Sequence, residues 1–500
     1  MQLPFDRRAR WIAALILAVA CLDAPAAAAR PKTRLVSINA AGNGGDNTSV
    51  LPQMTPDGRF VVFISRASDL GPTDTNGLND IYVRDLRTKT TTLVTVNAAG
   101  TDAGDAASSN PAISANGRYV LFTSTADDLV AGDNNGLDDV FVRDLKKGIT
   151  TLVSVNAAGT GPGDGQSAAL GITPEGRFAL FESLADDLAG SDSNQQFDVF
   201  VRDLKKGTTT LVSVNAAGTA SGNGLSVGAV ITPDARFVAF TSRASDLVAG
   251  DTNGHDDVFV RDLKTGAIRL VSINLTRTAT ANGSSFFPII TPNGRFIVFT
   301  SQANDLVAGD SNGFVDVFIR DLKNDTTALV SVNAAGTSGG DGNSGQAIVT
   351  PNGGLVFFTS FADDLVAADT NHQEDVFVRD LKTGVTKLVS LNAAGTDSGT
   401  GAAAEPRITA DGRIVIFEST ADDLVANDSN GKEDVFVRNL KKGLTTLASV
   451  DAAGAASASG ASGAPAVTPD GRAIAFESVA NDLVAGDSNH SEDVFVRILK

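Results

Sequence analysis

Eight copies of one polar phrase carry most of the chain's closely spaced side-chain oxygens. In its fullest form the phrase reads D-L-V-A-G-D-x-N-G-x-x-D. Its recurring set is Asp74, Asn76, Asp80; Asp133, Asn135, Asp139; Asp192, Asn194, Asp198; and Asp251, Asn253, Asp257. It continues as Asp310, Asn312, Asp316; Asp369, Asn371, Asp375; Asp428, Asn430, Asp434; and Asp487, Asn489, Asp493. An aspartate upstream of each set, from Asp69 to Asp482, recurs with it. Such oxygens around a glycine turn suit calcium, a hard cation that takes about six to eight oxygen ligands. They also suit architecture, because Asp and Asn bond their own downstream amides in Asx-turns and Asn-Gly turns a chain at little cost. The spacing is not that of an EF-hand and no glutamate closes it. Architecture is therefore the first reading and calcium the second. His255, His372 and His490 all lie in this phrase, but in different copies. A shared zinc site is not expected; histidine at a glycine position reflects its tolerance of positive φ.

Departures from the repeat are the other source of candidates. Leu275 to Pro288 reads LTRTATANGSSFFP where other copies are small and polar. It brings Arg277, Phe286 and Phe287, a candidate partner contact. Gly354 stands where the other copies have Arg59 or its equivalents. An arginine recurs in one strand (Arg84, Arg143, Arg202, Arg261, Arg320, Arg379, Arg438, Arg497) and is expected to form an ion-pair ladder between repeats. Neither H-E-x-x-H nor a P-loop is present. Eight near-identical acidic loops argue against paired catalytic carboxylates, since an active site normally breaks a repeat's symmetry.

These residues are carried by a strict frame. The turn phrase beginning at Thr55, Ser114, Thr173, Thr232, Thr291, Thr350, Thr409 and Thr468 recurs every 59 residues without insertion. A long fixed period is the mark of a repeat architecture. One unit reads strand (Pro111–Ser114), Asn-Gly turn, strand (Arg118–Ser124), polar loop, strand (Asp139–Leu145), Lys-Lys-Gly turn and strand (Thr150–Asn156). RYVLFTS is apolar on both faces, so each sheet must be covered on both sides. Four short antiparallel strands so covered describe a propeller blade. The last unit stops after its third strand, and Thr33 to Gly42 (TRLVSINAAG) reads as an orphan fourth strand. The expected fold is thus all-β: an eight-bladed β-propeller of four-stranded antiparallel blades, its ring closed by the N-terminal strand completing the last blade. The tight turns share one face and the long loops the other, which is the expected working face.

TPDGR, an apolar strand, DVFVRDL and TTLVSV together resemble the TolB-type, WD40-like β-propeller repeat of exported bacterial proteins. The resemblance covers nearly all of residues 31–500 and implies the fold. The D-x-N-G-x-x-D loop is additional to the family's minimal repeat, and TolB's separate N-terminal domain has no counterpart, so TolB's cellular role does not carry over.

Residues 1–29 read as a signal peptide: Arg7, Arg8 and Arg10, then an apolar run from Trp11, then small residues to Ala29. The single cysteine, Cys21, lies within it; lipidation at Cys21 is the alternative to cleavage before Arg30. Residues 30–500 form the single propeller, expected in the periplasm or medium, with no transmembrane segment. Removing the leader's net +1 from the chain's −18 leaves −19. That charge excludes nucleic acid as a natural partner. The expected function is a non-enzymatic, monomeric scaffold binding a protein, peptide or glycan through its acidic loop face, with calcium as a candidate cofactor. The alternative is a hydrolase or lyase acting on an extracellular polymer from the central channel.

Overall fold

The computed structural model describes residues 32–71 and 74–499; the signal-peptide and Cys21 readings fall outside the described residues. The regular structure described is all strand. The first full repeat supplies Ser49–Met54 (β2), Phe60–Ser65 (β3), Asp80–Asp85 (β4) and Thr90–Leu93 (β5), after a short strand β1 at Lys32–Leu35. β2 to β5 pair in chain order as one antiparallel sheet, and seven blades follow this plan. In the eighth, β1 pairs with the last strand, Asp493–Ile498, in place of a missing fourth strand. This is the expected eight-bladed ring with the expected closure.

The sequence forces this stacking. FVVFIS and DIYVRD are rich in β-branched and aromatic residues, and Val61 to Ser65 are all buried. Alternate residues of a strand point to opposite faces, so each blade feeds two interfaces. Val62, Ile81 and Val83 pack with Val120, Phe122 and Phe141 of the second blade. Phe63 and Tyr82 face the other way, with Ala475, Val494 and Val496 of the last blade. Inside every blade one aromatic of the second strand stacks on one of the third, at 5.5–5.9 Å between centroids. The tight turns are set by sterics as well as conformation: Gly117 has φ +67°, and a Cβ there would lie 2.2 Å from the Phe60 ring of the preceding blade.

The strand arginines do not form the ladder expected of them. Arg84, Arg143, Arg202, Arg379 and Arg438 donate to threonine hydroxyls of their own fourth strands. Among the described residues only Arg320 of this set meets a carboxylate, that of Asp325. The aspartate after the strand arginine pairs instead with the turn arginine of its own blade: Arg59–Asp85 at 2.6 Å, Arg118–Asp144 and Arg177–Asp203 at 2.7 Å, Arg236–Asp262 at 3.0 Å, Arg295–Asp321 at 2.6 Å. Pairing of Phe60 with Asp85 puts Arg59 beside that carboxylate, whereas Arg84, one residue earlier, points to the opposite face.

Candidate functional site

The repeated loops resolve into one network. Asn135 Nδ2 donates to Asp139 Oδ2 at 2.9 Å and to the Gly163 carbonyl of the next connection at 3.2 Å. Its Oδ1 accepts the Leu137 N–H at 2.9 Å, an Asx-turn. Asp139 Oδ1 accepts the Ser154 hydroxyl at 2.5 Å, and Ser154 Oγ accepts the Val140 N–H at 2.9 Å. The Asn-to-Asp bond recurs at Asp80, Asp198, Asp257, Asp316, Asp375, Asp434 and Asp493. The asparagine and the strand-opening aspartate thus have their polar atoms engaged in holding one blade to the next.

The first aspartate of each phrase differs. Asp74, Asp133, Asp192, Asp251, Asp310, Asp369, Asp428 and Asp487 are all buried. Tyr82 donates its hydroxyl to Asp74 at 2.5 Å; the other blades have phenylalanine at that strand position. One or both carboxylate oxygens lack a hydrogen-bond partner at every one of these residues except Asp251. Among the described residues no three His, Cys, Asp or Glu side chains converge as a metal site. His372 and His490 take φ 58°, as expected of histidine in a glycine position, and contact Asp363 and Asn481 in their own loops.

Burial drives the strand-opening carboxylates up, against the pull of their Ser, Thr and Asn hydrogen bonds. Asp139 is pushed up to about 6, Asp80, Asp257, Asp316, Asp434 and Asp493 to about 7, and Asp198 and Asp375 to about 8. An unfolded aspartate titrates near about 3.9. The folded form therefore holds more protons, so this contribution to stability is complete below that value and is lost as pH rises through 6–8. The melting temperature is expected to fall steadily from pH 5 to pH 8.5. A midpoint that is flat or rising over that interval rules the linkage out.

The second region of interest is the inner wall of the ring. First strands of consecutive blades touch one another around the axis. All eight are bulged, and in seven the residue at the bulge takes positive φ: Leu51, Asn110, Gly228, Phe287, Gln346, Glu405 and Ala464. A bulge re-aims a side chain and frees an amide. Three glutamates catch such amides from the preceding blade: Glu477 takes the Leu51 N–H at 2.6 Å, Glu182 that of Gly228 and Glu418 that of Ala464, both at 3.1 Å. Sequence reasoning passed over these three. Their signal was F-E-S where four other second strands read F-T-S.

Phe286 and Phe287 were expected in a connection between blades. They lie instead in the first strand of the fifth blade, Ser285–Ile290, in edge-to-face contact at 5.1 Å. The bulge explains the difference: with φ 56°, Phe287 stands out of the strand and is 73% exposed. Phe361 and Phe314 are the other exposed phenylalanines among the described residues. Phe286, Phe287, Val315 and Phe361 line a cavity of about 950 Å³ on the inner wall, with Glu374 and Glu405 also in its lining. Arg407 pairs with Glu405 at 2.5 Å. Arg277 is not part of this wall; it reaches Asp325 at 3.5 Å. Around the mouth, the residue before each third strand accepts the first amide of the next blade's inner strand. Five of these rim positions are acidic: Asp138, Asp256, Glu374, Glu433 and Glu492.

No family model and no curated protein sequence matches the chain. Solved structures do. A prolyl endopeptidase matches at 13% identity and a TM-score of 0.49, over 87% of this chain and 55% of that one. This chain thus spans little more than half the length of that enzyme. An oligogalacturonate lyase in complex with manganese matches at 13% identity and a TM-score of 0.45, over 95% of this chain and 99% of that one. TolB from Acinetobacter baumannii matches at 15% identity and a TM-score of 0.32, over 73% and 76%. No helix among the described residues is long and apolar enough to cross a membrane. The chain is an eight-bladed β-propeller by its own strand pairing, and TolB propellers are among the solved structures it is similar to.

Proposed function

We propose that this protein is an exported, non-enzymatic propeller that binds a peptide segment of a partner protein at the mouth of its central channel. The observation that carries the reading is the gathering of Phe286, Phe287 and Phe361 on one sector of a ring whose other parts repeat. Exposed aromatics in a concave, largely apolar site are the usual anchors of recognition. Glu374, in the same lining, favours a cationic ligand. The expected ligand is an extended segment with an apolar side chain for the phenylalanines and Lys or Arg for Glu374 and the rim. A hydrolase or lyase reading is not favoured. Glu405 is paired with Arg407, and Glu182, Glu418 and Glu477 hold backbone amides in three different blades.

Fluorescence polarisation with labelled peptides tests this. Apolar–basic peptides are expected to bind better than apolar–acidic ones, and the F287A/F361A double variant to lose about tenfold or more in affinity. Leu444→Ala, on an outer strand, serves as control. Equal binding of both peptide classes, no loss in the double variant, or selective binding of neutral oligosaccharides overturns the reading.

Calcium is the second reading for the loops, supported by the unpartnered oxygens of Asp133, Asp192, Asp310, Asp369, Asp428 and Asp487. A cation there would draw on that aspartate and on backbone carbonyls, because the neighbouring asparagine and strand-opening aspartate are already hydrogen-bonded. A ligand bound only by the folded state raises the melting midpoint. Millimolar calcium is expected to raise it over EDTA, with several sites per chain in calorimetry; no shift and no heat removes the reading.

A further inference from the structure

The turn between third and fourth strands carries glycine at its left-handed position in five blades: Gly148, Gly207, Gly266, Gly384 and Gly443. Two turns depart from this. Asp325 occupies the position in the fifth blade with φ 57°, and Lys89 in the first with φ 61°. Side chains other than glycine are uncommon in that conformation, and these two lie half-way round the ring from each other.

Asp325 has a visible task. It faces the groove between the fourth and fifth blades and gathers three guanidinium groups: Arg269 at 3.1 Å, Arg277 at 3.5 Å, and Arg320. Two of them come from the preceding blade. One carboxylate thus pairs with all three cations of that groove.

The groove between the eighth and first blades has the same frame with the opposite charge. Arg34 on β1 occupies the place of Arg269, Arg84 that of Arg320, Gly42 that of Arg277, and Lys89 that of the carboxylate itself. Arg34, Gly42, Arg84 and Lys89 line one cavity of about 1120 Å³ together with Lys32 and Arg497. Its one acidic lining residue, Asp451, belongs to the connection leaving the seventh blade. Among the described residues neither Arg34, Arg84 nor Lys89 makes an ion pair. Arg84 is bonded only to the Thr91 hydroxyl, and burial pulls its guanidinium down. A cluster of unneutralised cations stands out on a chain of net charge −18.

We propose that the groove between the eighth and first blades is an oxyanion site, taking a carboxylate or phosphate group of another molecule where Asp325 sits in the opposite groove. Guanidinium groups are suited to planar and tetrahedral oxyanions, and a charge-assisted hydrogen bond is stronger than a neutral one. The site is separate from the phenylalanine-lined cavity and independent of what binds there.

The test uses the whole chain from residue 30, with inorganic phosphate and acetate as probes at low millimolar concentration against chloride at equal ionic strength. Phosphate or acetate is expected to raise the melting midpoint saturably, with one site per chain in calorimetry. Response to phosphate alone identifies a phosphate-bearing ligand, and response to both a general oxyanion site. The K89D substitution restores the internal carboxylate and is expected to abolish the response while raising the midpoint without anion. K89G, which installs the residue five other blades carry there, is expected to keep the fold and weaken anion binding by about tenfold. D325K is expected to create a second site. No anion-specific shift, or a shift unchanged in K89D, overturns the proposal.

Discussion

Deleting residues 30–38 is expected to open the ring and to cost about 5 kcal/mol or more of folding stability. The estimate follows from what β1 and its flank hold. Val36 is fully buried in the seam with the first blade. The Val36 N–H bonds the Val494 carbonyl at 2.8 Å, and the four residues of β1 pair with Phe495 to Ile498. Ser37 donates to the buried Asp493 and accepts from the Val494 N–H. Deletion exposes apolar surface and takes the Ser37 hydroxyl away from one Asp493 oxygen and from the Val494 amide. It also leaves Asp493–Ile498 as a bare edge strand reading DVFVRI, a template for pairing with another chain. Chemical denaturation should show the lost stability, and size exclusion should show concentration-dependent association. Ser37→Ala should cost less than the deletion, about 2–3 kcal/mol, because it removes two hydrogen bonds but keeps the strand. A deletion variant as stable and monodisperse as the parent would mean the ring does not depend on this closure.

A second large effect is expected at Asp198, a buried carboxylate tied into a blade junction. It accepts the Ser213 hydroxyl on one oxygen and the Asn194 amide on the other, and is wholly buried. D198A strands both donors and loosens the Asn194 bridge to the Gly222 carbonyl, made at 2.7 Å. The expected loss is about 3–5 kcal/mol, since each stranded buried donor costs about 1–3 kcal/mol. D198N should lose less, about 1–2 kcal/mol, because its carbonyl oxygen still accepts one of the two donors. The pair also isolates the proton. Burial pushes Asp198 up to about 8, so at neutral pH it is largely protonated. D198N, permanently neutral, should therefore flatten the decline of stability between pH 7 and 9. Denaturant titrations of the three proteins across that range measure both effects. Equal stability of D198A and the parent would remove the network's role in holding blades together.

The repeat made the fold legible because packing on both faces leaves its mark at every strand. F-V-V-F-I-S and D-V-F-V-R-D cannot be solvated on either side, and the phrase T-P-D-G repeats in fixed register with them. The closure was legible for the same reason: a fourth strand without a blade at one end and a blade without a fourth strand at the other. The loop phrase was legible as to residue type but ambiguous as to use, since Asp and Asn serve cations and turns alike. The structure gives the asparagine and strand-opening aspartate to hydrogen bonds, and leaves open oxygens on the first aspartate.

The partner side of the arginines was misread because strand alternation alone does not say which neighbour lies across a face. Register does, and register put Asp85 beside Arg59 rather than Asp beside a strand arginine of the next blade.

The sequence by itself determined the blade, its count and its closure, because local pattern and burial period are written in each repeat. Only the tertiary structure decided which irregular residues meet. Phe287 joins Phe361 because a bulge turns one side chain out of its strand and neighbouring blades present their inner strands to one axis. Arg34 and Lys89, far apart along the chain, share a groove only once β1 has crossed the seam to complete the eighth blade beside the first. Contacts of that kind depend on ring closure and on backbone conformation at single residues, neither of which a residue's type or spacing encodes.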